Sequence, residues 1–203
     1  MHPFKIIVPA ICCLFGHSAA ADGVYYGGGL FYTDATSLNE PDGTAESADS
    51  YFGVSGTVGY RWDQPTSFFG AEADIDLPIG SDFEANGASC EDSATDPYYC
   101  THNATIRLRG LAGIPVGNFE GFASAGFTIM TGDGAVSPNE QDTGVNTGFT
   151  VGVGLQQDLG GNTLRYELIY DNAENTTTKP TNGTLEYEPT FEALTAKVTF
   201  LFY

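Results

Sequence analysis

The sequence predicts an all-β fold, an eight-stranded antiparallel up-and-down transmembrane β-barrel with short turns at one end and four long loops at the other. Three observations predict it: eight strand-like segments, links between them that alternate in length, and a strict segregation of apolar and charged residues by parity along the strands. The segments are 23–33, 50–62, 67–79, 101–116, 119–132, 143–159, 163–172 and 190–203. Most are about 10–14 residues long, close to what a tilted strand needs to cross a bilayer. No apolar run after residue 22 is long enough for a membrane helix, and no segment carries a helical period.

The first residues, MHPFKIIVPAICCLFGHSAAAD, place Lys5 before an apolar run from Ile6 to Phe15 and end in small residues. This is the layout of a secretory signal peptide over residues 1–21, followed by a barrel domain over 22–203. Cys12 and Cys13 lie in the leader, in a poor lipoprotein cleavage context. Removing the leader leaves six basic residues against 26 acidic ones, a net charge of −20. Such a charge argues against nucleic acid as a partner.

Three links are short: Asp63-Gln64-Pro65-Thr66, Gly117-Asn118 and Gly160-Gly161-Asn162. They have the chemistry of tight turns. The other four, 34–49, 80–100, 133–142 and 173–189, are polar and hold 16 of the 26 acids. In a membrane barrel of this type the short turns are periplasmic and the long loops extracellular, and an even strand count returns both termini to the periplasmic side.

Parity supplies the third observation. In FFGAEADIDLPIG, Glu72, Asp74 and Asp76 share one face, while Phe69, Ala71, Ala73, Ile75 and Leu77 share the other. In the next strand Ala104, Ile106, Leu108, Ala112, Ile114 and Val116 oppose Thr105, Arg107 and Arg109. Phe52, Val54, Val58, Tyr60 and Trp62 oppose Ser55, Thr57 and Arg61. Leu164, Tyr166, Leu168 and Tyr170 oppose Arg165, Glu167 and Asp171, and the last strand sets Leu194, Ala196, Val198, Phe200 and Phe202 against Lys197. Five of the six bases therefore sit on strands, all on the polar parity, and only Lys179 is in a loop.

An apolar exterior and a polar interior is what a bilayer demands of a closed barrel. The predicted site is a lumenal ion-pair network of Arg61, Glu72, Asp74, Asp76, Arg107, Arg109, Arg165, Glu167, Asp171 and Lys197. Within it the acidic trio is expected to meet Arg107 and Arg109 on the neighbouring strand, and Arg165, Glu167 and Asp171 to meet Lys197. Unpaired, such charges would cost several kcal/mol each. Gly53, Gly59, Gly126, Gly152 and Gly154 fall on inward parities and are expected to make room for the long Arg and Glu side chains. Tyr60, Trp62 and Phe119 at the turn end and Tyr170 at the loop end suit interfacial girdles.

Cys90 and Cys100, in a polar segment of an exported chain, read first as a disulfide closing a loop. Zinc is the weaker reading, because His102 is the only imidazole near them.

DGVYYGGGLFYTDA directly after the cleavage site, eight strands and the aromatic ending AKVTFLFY resemble the small OmpA-like and OmpX-like outer-membrane β-barrels of Gram-negative bacteria. The resemblance covers the whole chain after the leader and implies a bacterial outer-membrane location. It also implies recognition of the last strand by the barrel assembly machinery. Parity places Phe202 outward and leaves Tyr203 over, to be absorbed by a bulge or turned to the lumen rim. No peptidoglycan-binding domain follows the barrel in this sequence, so that role of larger relatives is not implied.

The expected function is structural or interactive: a barrel, monomeric, set among outer-membrane lipids and lipopolysaccharide and displaying acidic loops. Those loops read first as solvated surface, and more sharply as binding divalent cations or an extracellular receptor, although none has the spacing of a dedicated calcium site. A small porin-like channel is the alternative, against which stands a lumen crossed by ion pairs. A lipid A-modifying enzyme is the weaker third reading. The only histidine after the leader, His102, is placed outward at the loop end by parity, with Ala104 where a serine partner would stand. Paired-carboxylate catalysis is disfavoured because neighbouring arginines would hold the trio ionised. No catalytic residue, metal or cofactor is expected. A soluble barrel of lipocalin type is the alternative fold, and it would turn the apolar parity inward.

Overall fold

The computed structural model describes residues 23–40, 45–85, 88–89, 98–137, 140–175, 179–180 and 186–203. The predicted leader and Cys90 lie outside the described residues, and with Cys90 the predicted disulfide.

Eight long strands form the wall: β1 (Gly23–Glu40), β2 (Ala45–Gln64), β3 (Ser67–Ile79), β4 (Tyr98–Val116), β5 (Phe119–Ser137), β6 (Glu140–Asp158), β7 (Asn162–Asn175) and β8 (Glu186–Phe202). Each pairs antiparallel with its neighbours in sequence, and β1 also pairs with β8, from Tyr26 opposite Phe202 to Glu40 opposite Glu188. The sheet is thereby closed, and its strand edges are satisfied as a bilayer requires. Short two-residue strand pieces at Glu84–Ala85, Ala88–Ser89 and Lys179–Pro180 decorate the loop end.

The turns at the other end follow from local chemistry. Gly117 adopts φ 64°, which few side chains tolerate, and so closes the β4–β5 turn. In the β6–β7 turn Gly160 and Gly161 sit at φ 83° and 104°, and Asp158 Oδ1 accepts the Gly160 N–H at 2.7 Å.

The apolar parity faces outward. Leu30, Phe127 and Val153 are 67%, 74% and 58% exposed. This orientation excludes the lipocalin-like alternative, in which the same residues would form the core. On β1 the outward apolar stripe runs from Val24 to Tyr32 and gives way to the exposed Asp34, a span that matches the about 9–11 residues of a tilted membrane strand. Paired rings mark its borders: Tyr60 with Trp62 and Tyr26 with Phe202 at the turn end, Tyr32 with Phe52 and Phe149 with Tyr170 at the loop end.

The strands outrun the apolar stripe. β1, β2 and β8 continue beyond the loop-end girdle, β1 to Glu40, β2 from Ala45 and β8 from Glu186, past the bounds the apolar alternation sets. Cross-strand hydrogen bonds once begun continue outside the membrane, where no apolar face is needed.

Inside, side chains fill the lumen in three layers. At the turn end Phe68, Leu111 and Phe122 cluster, and the Tyr203 ring lies 5.5 Å from that of Tyr25, so the last residue faces the lumen rim with no bulge between β1 and β8. Charged groups occupy the middle. At the loop end Phe31, Ala35, Tyr51, Phe83, Met130, Ala173, Phe191 and Ala193 form a second apolar cluster.

These layers correct the expectation about the glycines. A Cβ on Gly53 would lie 2.2 Å from Phe31 Cζ, one on Gly59 2.4 Å from Tyr25 Cζ, and one on Gly154 2.5 Å from Phe122 Cζ. Gly152 makes room for Ser124 Oγ, and Gly126 for the β4 backbone. The inward glycines accommodate aromatic rings and close strand approach, not Arg and Glu chains, because the flat rings lie against the wall whereas the charged chains extend toward the axis. Gly53→Ala is therefore expected to destabilise the barrel by about 1–3 kcal/mol. Gly28→Ala, whose Cβ would sit 3.6 Å from its nearest neighbour, should leave it nearly unchanged. Urea unfolding of the two variants in detergent micelles makes the comparison, and equal midpoints would show that the Phe31 ring has room to withdraw.

Candidate functional site

The middle layer is assembled from β3, β4, β7 and β8. The period of two directs Glu72, Asp74 and Asp76 of β3 and Arg107 and Arg109 of β4 to the interior, and the register sets Glu72 opposite Arg109 and Asp74 opposite Arg107. Arg107 Nη1 donates to Asp76 Oδ2 at 2.5 Å and to Asp74 Oδ1 at 3.1 Å, and Arg109 Nη2 donates to Glu72 Oε1 at 2.5 Å.

The second expected group, Arg165, Glu167 and Asp171 around Lys197, is not formed as such. Lys197 Nζ donates instead to Asp74 Oδ1 at 2.9 Å and Asp76 Oδ1 at 2.8 Å, on β3. Asp171 takes Arg107, through Nε to Oδ1 at 2.9 Å and Nη2 to Oδ2 at 2.7 Å. Glu167 takes Arg109 Nη1 at 3.0 Å, and Arg165 Nη1 donates to Glu72 Oε2. The pairs cross the lumen because eight strands enclose so narrow an interior that inward chains from opposite walls meet at its axis. Each crossing ties β3 or β4 to β7 or β8, walls that share no backbone ladder.

All nine of these side chains are buried, none more than 3% exposed. In such a setting an ion pair holds only if the remaining lone pairs and protons are also met. Several are: Tyr25 Oη donates to Glu72 Oε2 at 2.7 Å, and Arg165 Nε donates to Gln156 Oε1 at 3.1 Å.

Arg61 stands apart from the central group. It lies toward the turn end, where Nη1 and Nη2 clasp both oxygens of Glu120 at 2.8 and 2.7 Å and Nε reaches Asp63 at 2.7 Å. Its guanidinium covers the Phe68 ring at 4.0 Å. Gln156 Nε2 donates to Glu120 Oε2 at 2.7 Å, so this half-buried group joins the central layer through Gln156 and Arg165. Glu120, Gln156 and Tyr25 were absent from the sequence-predicted set, although all three lie on inward parities.

His102 departs from the outward position expected of it. It is buried and points into the lumen, its ring stacked on Tyr51 at 5.6 Å and on Phe191 at 5.1 Å, with Nε2 2.7 Å from Thr105 Oγ1. Register shifts between Tyr99 and Thr101 and between His102 and Ala104 cause this, since a bulge reverses the parity of the residues before it. Among the described residues no group of three or more His, Cys, Asp and Glu is placed to hold a metal ion.

An apolar belt of bilayer height, closed antiparallel pairing and an ionised interior together define a small membrane-spanning β-barrel. The model of the outer membrane protein β-barrel domain matches residues 6–189, and the chain belongs to that family. It is a protein of the outer membrane, with its turn end toward the periplasm and its loop end toward the exterior. Similar solved structures include Neisserial surface protein A, at 11% identity and a TM-score of 0.44 over 87% of this chain and 97% of that chain. The attachment invasion locus protein Ail of Yersinia pestis is similar at 10% identity and a TM-score of 0.44, over 88% of this chain and 98% of that chain. No curated protein matches the sequence.

Proposed function

We propose that this protein is a surface-interaction barrel, a rigid scaffold that holds acidic loops and hairpins outside the cell and does not conduct solutes. The observation that carries the reading is the filled lumen: ion pairs join opposite walls at mid-height, and aromatic clusters lie above and below them. A conducting path would have to break charge pairs whose side chains are at most 3% exposed. The loop end supports the second half of the proposal. Asp34, Glu46, Asp82, Glu84, Glu174 and Glu192 are exposed there, whereas four of the predicted loop acids, Asp42, Glu91, Asp92 and Asp96, lie outside the described residues. A field of one sign suits divalent cations that bridge to lipopolysaccharide phosphates, or a basic patch on an extracellular receptor.

Single-channel recording of the refolded protein in a planar bilayer tests the first half. Silence after verified insertion is the expected result. Steady, discrete openings would overturn the reading in favour of a small porin-like channel. For the second half, lipopolysaccharide affinity is expected to rise with added calcium or magnesium and to lose that response when Glu46, Asp82 and Glu84 are changed to their amides. A response that survives those changes would remove the loops from the account.

A further inference from the structure

One part of the lipid-facing wall is indented. At the turn end a groove of about 500 Å³ opens on the outer face of β3, β4 and β5, lined by Phe69, Ala112, Ile114, Val116, Gly121 and Ala123, all on the outward parity. Phe69 stands opposite Trp62 of the aromatic girdle, and from Phe69 the row of outward side chains crosses Ala112 and Ala123 before it rises again at Val153. One row nearer the periplasm, Ile114 and Leu155 stand on either side of Gly121. A Cβ on Gly121 would lie 3.3 Å from Val116 Cγ2 and 3.7 Å from Leu155 Cδ2, so side chains on both sides rise above a bare backbone floor. Behind the groove Phe68 and Phe122 pack into the lumen, so the groove indents the lipid face and is backed by the filled interior.

The periplasmic end of the groove is a strand edge. The register of β3 with β4 ends at Phe68 opposite Gly113, so Ile114, Pro115 and Val116 run on past β3. Val116 and Phe119 flank the two-residue β4–β5 turn. The pair that flanks such a turn exchanges its closing hydrogen bonds, which leaves the next residue with its backbone directed to the opposite side. That residue is Pro115. It has no N–H, so the edge presents a carbonyl acceptor there without a donor. An open edge does not lie among hydrocarbon chains. It therefore sits at headgroup level, and the apolar part of the groove, with Phe69, Ala112 and Ala123, reaches from it into the acyl region.

We propose that this groove is a binding site for one phospholipid of the periplasmic leaflet, with an acyl chain against Ala112, Gly121 and Ala123 and an ammonium headgroup donating to the Pro115 carbonyl. The surroundings decide the occupant. The groove is continuous with the apolar belt that lipid covers, and it ends in an acceptor, so a molecule with an apolar chain and an N–H-bearing head meets both parts. A second barrel would bring a convex wall, which spans such a groove without filling it. The inference goes beyond the surface-display reading and rests only on the orientation of the barrel in the membrane.

Native mass spectrometry of the refolded barrel, released from micelles that hold equal amounts of phosphatidylethanolamine and phosphatidylcholine, is the test. One phosphatidylethanolamine per barrel is the expected result, retained about threefold over phosphatidylcholine, whose methylated ammonium has no N–H to donate. Ala112→Phe combined with Ala123→Phe fills the floor and is expected to lower that retention about tenfold. Ala196→Phe, on the outward face of β8, is expected to leave it unchanged. All three substitutions keep apolar side chains toward lipid, and the gel shift on boiling verifies that each barrel is folded. Equal retention of the two lipids, retention that survives in the filled groove, or an equal loss from the Ala196→Phe barrel would overturn the proposal. So would a dimer of the unaltered protein that disappears when the groove is filled, since the face would then belong to a second copy. If the filled variant fails to fold, the stoichiometry and headgroup preference of the unaltered barrel decide alone.

Discussion

Arg107→Ala is expected to lower the stability of the folded barrel by about 3–5 kcal/mol, the cost of leaving buried charge without its partner. Like Arg109, which meets Glu72, Asp74 and Glu167, Arg107 serves three carboxylates. Its guanidinium touches Asp74, Asp76 and Asp171, and the three carboxylates are at most 3% exposed. After truncation Lys197 still reaches Asp74 and Asp76, but Asp171, on the far wall, loses the three bonds it accepts from Arg107. The urea midpoint in detergent micelles, together with the shift in gel mobility on boiling, measures the loss. Combining Arg107→Ala with Asp171→Asn should recover part of it, with a coupling energy of about 0.5–3 kcal/mol between the two sites. A loss below about 1 kcal/mol for the single variant would mean that water enters the layer freely, and the sealed-lumen reading would fall with it.

Leu108→Arg is expected to cost about 2–4 kcal/mol, although it places an arginine directly between two arginines the fold already contains. The reason is the wall. Arg107 and Arg109 point into the lumen and meet carboxylates, while Leu108 is 56% exposed on the outside, near the middle of the apolar stripe of β4. A guanidinium there meets only hydrocarbon. The contrast is diagnostic, because on the outside of a water-soluble barrel the same change would be nearly neutral. Folding yields of the variant in lipid vesicles of defined thickness supply the measurement, and an unchanged yield would show that this face does not contact the acyl chains.

How much of this could be read in advance depends on what kind of information each feature needs. The faces of β2, β3, β7 and β8 were legible because alternation requires only the residues of one strand, and a bilayer enforces it without exception over the apolar height. That the β3 acids and the β4 arginines lie on neighbouring strands was legible as well, since adjacent strands of an up-and-down barrel are adjacent in sequence, whereas which acid faces which arginine is set by the register. Lys197 shows where that reasoning ends. Its neighbour in register is Glu167, yet its ammonium lies on Asp74 and Asp76. Parity says that a side chain enters the lumen, and only the narrow cross-section decides which wall it reaches.

His102 and Phe83 mark two further limits. A bulge ahead of Ala104 turns His102 from the lipid side into the aromatic cluster, and nothing in the alternation around it records the extra residue. Phe83 sits in a link whose composition reads as loop, yet its ring is buried in the aromatic cluster at the loop end of the lumen.

By itself, then, the sequence determined the number of strands, the face of the regularly paired residues and the membrane that the outer face requires, since these follow from local period and from the solvent on each side. The tertiary structure alone decided which charges meet, which glycines receive rings and which side chains cluster at the loop end of the lumen. Those outcomes depend on distances across a closed interior, and such distances exist only once β1 has paired with β8.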